Sequence, residues 1–151
     1  MKNNSLYIHK NLPQMYQLDV DKFNTLYVEV SGNPSGIPII FFHGGPGGQS
    51  RSEHHSLFNP SLFRSIIYDQ RGTGKSTPFR SLKNNDTHTL IEDVEKIVAT
   101  LDISPTRLSS TPPRGRQRFF SSALFEEDKL KQFIYKCLTY FDRDGDEQLL
   151  L

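Results

Sequence analysis

Two glycine-rich stretches hold the residues whose types and spacing could do chemistry. The first is residues 37–48, IPIIFFHGGPGG. Its first half is apolar without alternation, which predicts a strand over Ile37–Phe42 buried on both faces. His43, Gly44, Gly45, Pro46, Gly47 and Gly48 follow and predict a sharp turn, its glycines free to take positive φ and its proline stiffening the centre. A buried strand that stops in such a loop is where α/β enzymes bring backbone N–H groups close to a substrate. The second stretch is Asp69-Gln70-Arg71-Gly72-Thr73-Gly74-Lys75-Ser76, again at the end of a short strand, FRSIIY. Gly74-Lys75-Ser76 matches the end of a phosphate-binding loop. That loop needs a glycine five positions before Gly74, and Asp69 stands there, where a carboxylate repels phosphate. No nucleotide site and no cofactor are expected.

Other reactive residues lack the company that chemistry needs. His54 and His55 are adjacent, as metal ligands can be, but no Cys, Asp or Glu pattern completes a site. A solvent-exposed loop or short helix is expected over residues 49–59, and no metal. Cys137 lies on an apolar stripe with no histidine after His88 to activate it, so it reads as a packing residue.

The elements that must position these residues follow from periodicity. Residues 16–20 and 26–30 are short runs rich in Val, Leu and Tyr around a polar connection, an antiparallel hairpin. Residues 31–36, SGNPSG, form a turn. Residues 89–101 make the clearest helix. Thr89 and Glu92 are spaced as a capping box, and Leu90, Ile91, Val94, Ile97, Val98 and Leu101 share one face. Glu92, Asp93, Glu95 and Lys96 are assigned to the solvated face. Residues 104–122, rich in Pro, Arg and Ser, cannot bury much and read as a disordered linker. A helical tail follows over residues 123–151, with Leu130, Phe133, Ile134, Cys137, Leu138 and Phe141 on one stripe.

Composition bounds the class. The 151-residue chain can form one domain with a core, although its apolar fraction is only 35% and its mean hydropathy is −0.53. A net charge of +1 gives no field pointing to nucleic acid or to an anionic membrane. One cysteine suits a reducing compartment. The first residues lack the apolar core of a signal peptide, and no apolar run is long enough to span a bilayer. A cytoplasmic protein that binds neither nucleic acid nor membrane is the expectation.

Taken together, SGNPSGIPIIFFHGGPGG, FNPSLFRSIIYDQRGTGKSTP and NNDTHTLIEDVEKI resemble the amino-terminal part of the proline iminopeptidases, prolyl aminopeptidases of the α/β-hydrolase superfamily. The likeness covers roughly residues 16–103. It implies a partial α/β-hydrolase fold in residues 1–103. It also implies serine catalysis that releases amino-terminal proline from peptides, with a histidine as base and an aspartate to orient it. By the same likeness, the backbone N–H of Gly45 is an oxyanion-hole donor and Gly44 shapes its turn. His43, Pro46, Gly47, Gly48, Asp69, Arg71, Gly72 and Gly74 support the two motifs.

The chain departs from that pattern where the reaction would be done. Ser104, Ser109, Ser110, Ser121 and Ser122 are the serines after the helix, and none has a glycine two residues to either side. No histidine follows any of them. The triad is therefore expected to be absent and the chain inactive by itself. The tail residues Asp142, Asp144 and Asp146 resemble the opening of an EF-hand, but Glu147 replaces the turn glycine and the bidentate glutamate is missing. A calcium-linked interaction module and a product without function are the alternatives. A truncated gene, a frameshift, an alternative transcript or a gene fusion would each give such a composite. Without a nucleophile strand beside it, Ile37–Phe42 is expected to be a bare apolar edge and the chain marginally stable.

Overall fold

The computed structural model describes residues 6–43 and 48–103, together with a strand at residues 107–110. Five strands and one α-helix make up the architecture: β1 (Gln14–Asp19), β2 (Thr25–Gly32), β3 (Ile37–Phe42), β4 (Phe63–Tyr68), α1 (Thr87–Leu101) and β5 (Arg107–Ser110). A 3₁₀ turn, Ser52–Leu57, lies between β3 and β4.

The strands form one mixed sheet in the order β1-β2-β4-β3-β5. The β1–β2 hairpin pairs antiparallel, with Gln14 opposite Val30 and Asp19 opposite Thr25. β2 is also antiparallel to β4, while β3 runs parallel to β4 and to β5. Parallel β3 and β4 therefore end on the same side of the sheet. That geometry brings the two glycine stretches together although they are far apart in sequence.

Alternation sorts each strand's side chains between two cores. Leu26, Val28, Val30, Ile40, Phe42, Ile66 and Tyr68 face α1 and pack with Ile91, Val94, Ile97 and Ile103. Ile39, Phe41 and Ile67 face the other way and pack with Phe58. Both faces of β3 are filled, as its unbroken apolar run predicts.

Three expectations are corrected. β3 is not an edge: its Ile39, Ile40, Phe41 and Phe42 pair with Arg107, Leu108, Ser109 and Ser110 of β5. Ladder hydrogen bonds join main chains, so a segment with only one leucine can still satisfy the N–H and C=O groups that β3 would otherwise leave unpaired. The same pairing removes residues 107–110 from the linker; residues 104–106 and 111–151, including the tail helix, lie outside the described residues. Helix α1 starts earlier than its apolar stripe suggests. Asp86 is the N-cap, its Oδ1 accepting the Thr89 N–H at 3.0 Å while Thr89 Oγ1 accepts the Asp86 N–H at 3.1 Å. The Asp86 carboxyl is held below its ordinary range by that Thr89 amide. Glu92 takes no part in the cap and stands 3.8 Å from His88, one turn back.

Candidate functional site

Gly44, Gly45, Pro46 and Gly47 lie outside the described residues, as do Asp142, Asp144 and Asp146. The residues that flank the glycine loop are described, and both flanks rest on the turn at residues 69–76. His43, buried at the end of β3, accepts the Gln70 N–H on Nε2 at 3.2 Å and lies 3.3 Å from Thr73 Oγ1. An accepting Nε2 makes the ring neutral, with its proton on Nδ1. Gly48 is half-buried, two residues before Ser50. Ser50 donates its N–H and its hydroxyl to Asp69 Oδ1, at 2.6 and 2.8 Å.

Asp69 itself organises the turn. Its Oδ2 accepts the Lys75 N–H at 2.8 Å, and its carbonyl accepts the Ser76 hydroxyl at 2.6 Å. Gly74 has φ +51°, and a Cβ there would fall 2.2 Å from Asp69 Oδ2. Only glycine lets the turn close on the carboxylate. The amide that would face a phosphate in a nucleotide loop here faces Asp69, the residue that sets this stretch apart from such a loop.

Arg71 points away from the loop and staples the turn to the rest of the fold. Its Nε and Nη2 donate to Oδ2 and Oδ1 of Asp93 at 2.7 and 2.6 Å. Its Nη1 donates to Asp21 Oδ2 at 2.5 Å and to the Asn84 carbonyl at 2.7 Å. One guanidinium thus ties α1, the β1–β2 connection and the segment before α1. The Asp93 hydrogen bonds raise the Arg71 pKa against the effect of burial. Burial pushes the Asp93 carboxyl upward and the guanidinium opposes it. The two-pronged contact is the geometry of an ionised pair. This corrects the assignment of Asp93 to the solvated helix face: it is fully buried. Spacing could have revealed it, since position 93 is three residues after Leu90 and four before Ile97, on the inward side.

A buried polar cluster under the 3₁₀ turn was missed by sequence reasoning altogether. Glu29 accepts hydrogen bonds from the Tyr27 hydroxyl at 2.6 Å and the Ser52 hydroxyl at 2.8 Å. Lys75 Nζ stands 3.5 Å from its Oε1 and His55 Nε2 stands 3.6 Å from its Oε2. Burial raises the Glu29 pKa, but the Tyr27 and Ser52 hydroxyls and the Lys75 ammonium outweigh it and hold the carboxyl below its ordinary value. His55, expected to be exposed, is buried, with Nδ1 2.7 Å from Ser65 Oγ. The residue types match a Ser–His–Glu triad, but the proton order does not. Ser65 donates its hydroxyl to the Ser31 carbonyl at 3.1 Å, so His55 Nδ1 donates to Ser65 rather than accepting from it. Ser65 is also sealed from solvent. The cluster is structural. Among the described residues no group of three His, Cys, Asp or Glu is placed to hold a metal ion, and no helix is long and apolar enough to cross a membrane.

A sheet ordered β1-β2-β4-β3-β5, with a glycine loop and a helix-leading turn at the ends of its parallel strands, is a partial α/β-hydrolase fold. Residues 37–107 match the family model described as alpha/beta hydrolase fold. The amino-terminal part of the chain is related to the proline iminopeptidases. It is 47% identical over 90 residues to a probable proline iminopeptidase of Leptolyngbya boryana, covering 60% of this chain and 28% of that one. Against the proline iminopeptidase of Arabidopsis thaliana it is 45% identical over 86 residues, 57% of this chain and 23% of the relative. The chain thus spans between a fifth and a third of the length of these relatives. Among solved structures, a proline iminopeptidase-related protein of Thermus thermophilus superposes with a TM-score of 0.58 at 26% identity, covering 66% of this chain and 36% of that chain. A putative aryl esterase of Burkholderia cenocepacia gives a TM-score of 0.55 at 28% identity, covering 64% and 36%.

Proposed function

We propose that the described domain supplies the oxyanion-loop side of a proline-iminopeptidase-like serine hydrolase site, and that these 151 residues do not complete that site. The observation that carries this is the joint placement of His43 and Asp69 at the ends of two adjacent parallel strands, flanking the glycine loop. Gly45 is the proposed donor to a developing oxyanion, with Gly44 shaping the turn. The substrate class would be peptides with amino-terminal proline, after the relatives' names.

An oxyanion donor stabilises charge only after a nucleophile has attacked. No serine of the chain lies in a Gly-x-Ser-x-Gly setting. β5 lies beside β3, where an elbow would have to begin, yet its last residues, Ser109 and Ser110, are followed in sequence by Thr111-Pro112-Pro113. A nucleophile elbow needs glycines that permit a sharp turn, whereas two prolines fix φ and remove N–H donors. The purified chain is expected to release no arylamine from a proline arylamide above the buffer rate. Saturable release that survives repeated purification would overturn the proposal.

A further inference from the structure

We propose that residues 6–13 form an acid-released strap, latched onto the domain by His9 where it lies against the buried His55. The strap runs ahead of β1 and belongs to no strand. Its Leu6, Tyr7, Ile8 and Leu12 side chains are exposed and contribute little to holding it. Among the described residues, its polar hold is one main-chain bond, from the Tyr7 N–H to the Ser56 carbonyl at 2.8 Å, and the His9 ring. A carbonyl only accepts, so His9 Nε2–H donates to the Phe58 carbonyl at 3.1 Å, while Nδ1 accepts the Ser31 hydroxyl at 2.8 Å. The Ser31 bond in this sense needs a neutral ring, because a protonated Nδ1 becomes a donor and must turn the Ser31 hydroxyl away.

The second proton site lies beneath the strap. The His9 and His55 ring centroids stand 5.7 Å apart. His55 Nδ1 is committed to Ser65, so an added proton goes to Nε2, which is buried without a hydrogen-bond partner and faces Glu29 Oε2 at 3.6 Å. Burial is the main obstacle to that proton; Glu29 favours it, and His9 and His54 oppose it when charged. Lys75, from the turn at residues 69–76, lies beyond Glu29, 3.5 Å from its Oε1, and β4 contributes the uncharged Ser65 hydroxyl. Lifting the strap takes His9 away and opens one side of the His55 ring to water, so the released form takes up the proton more readily than the latched form. By linkage, acid then favours release. His55 is held from 6.5 down to about 4 in the latched form, so the bias toward release is absent above pH 6.5 and grows below it, reaching up to about tenfold by about pH 5.5.

Limited trypsin digestion of the full chain, with fragments mapped by mass spectrometry, reads release as cleavage after Lys10. The rate at each pH is normalised to that of a free peptide with the sequence of residues 6–13, and cleavage after the buried Arg71 reports global opening. From about pH 7.5 to about pH 5.5 the normalised Lys10 rate is expected to rise about five- to tenfold in wild type and less than about twofold in His55→Asn, with Arg71 cleavage far slower throughout. A merely structural latch would shift the rate at every pH and leave its slope unchanged. If His55→Asn does not fold, His9→Ala carries the test. With both ring bonds gone, the His55 ring, followed by NMR, should take up its proton at about a tenfold lower proton concentration than in wild type. Equal slopes in wild type and His55→Asn, Lys10 cleavage that rises only together with Arg71 cleavage, or an unmoved His55 titration in His9→Ala would overturn the proposal.

Discussion

Arg71→Met is expected to destabilise the domain by about 3–5 kcal/mol, the cost of leaving a buried charge without its partner. The variant strands Asp93, which has no exposure through which water could replace the lost donors. It also frees the Asn84 carbonyl and Asp21, but Asp21 is partly exposed and can be resolvated. Arg71→Lys should recover little, because one ammonium cannot meet both Asp93 oxygens and reach Asp21 as the guanidinium does. Arg71→Met combined with Asp93→Leu should recover a good part of the loss, since an apolar pair leaves no buried charge behind. Urea denaturation followed by circular dichroism measures all three. A domain typically holds about 5–15 kcal/mol in total, so the single variant is expected to lose a large share of its stability while leaving a folded baseline to measure. A loss below about 1 kcal/mol would mean that the staple is not what holds α1 and the turn together.

Acid should act through the cluster under the 3₁₀ turn. Burial lowers the His55 pKa from 6.5 to about 4. The unfolded chain therefore takes up a proton near pH 6.5 that the folded chain refuses until about pH 4. Stability from this group is complete above pH 6.5, falls as pH drops toward 4, and is level below that. The span corresponds to about 3 kcal/mol. Glu29 acts in the same direction, because its carboxyl is held below its ordinary value in the fold and must be protonated in acid. Denaturation midpoints measured at steps from about pH 7.5 down to about pH 4 should fall steadily. His55→Asn, compared with wild type over the same series, should flatten the part between about pH 6.5 and 5. Equal slopes for the two proteins would show that His55 is not the group that titrates.

Much of the frame was legible in the sequence. Ile37–Phe42 and Phe63–Tyr68 coincide with β3 and β4, because short apolar runs bounded by turn residues leave little choice of register. The hairpin was legible from its two β-rich runs. What escaped was the polar interior. Tyr27, Glu29 and Ser31 share the face of β2 that points away from α1, and nothing local announces that a glutamate there is buried. Its partners come from β4, the 3₁₀ turn and the turn at residues 69–76, so the cluster exists only after the chain is folded. Asp93 was misplaced for a related reason. Residue type argued for solvent and spacing argued for the core, and Arg71, far back along the chain, decides the matter. β5 escaped because strand pairing at a sheet margin depends on the neighbour's open main chain more than on the segment's own side chains.

An oxyanion loop without a nucleophile is what these residues are proposed to hold. A fluorophosphonate probe, which reacts only with activated serines, tests it most directly when the labelled chain is digested and mapped by mass spectrometry. The expected result is no label on Ser104, Ser109, Ser110, Ser121 or Ser122, and none on Ser65, whose hydroxyl proton already serves the Ser31 carbonyl. Stoichiometric label on any one of these serines, lost on heat denaturation before treatment, would contradict it.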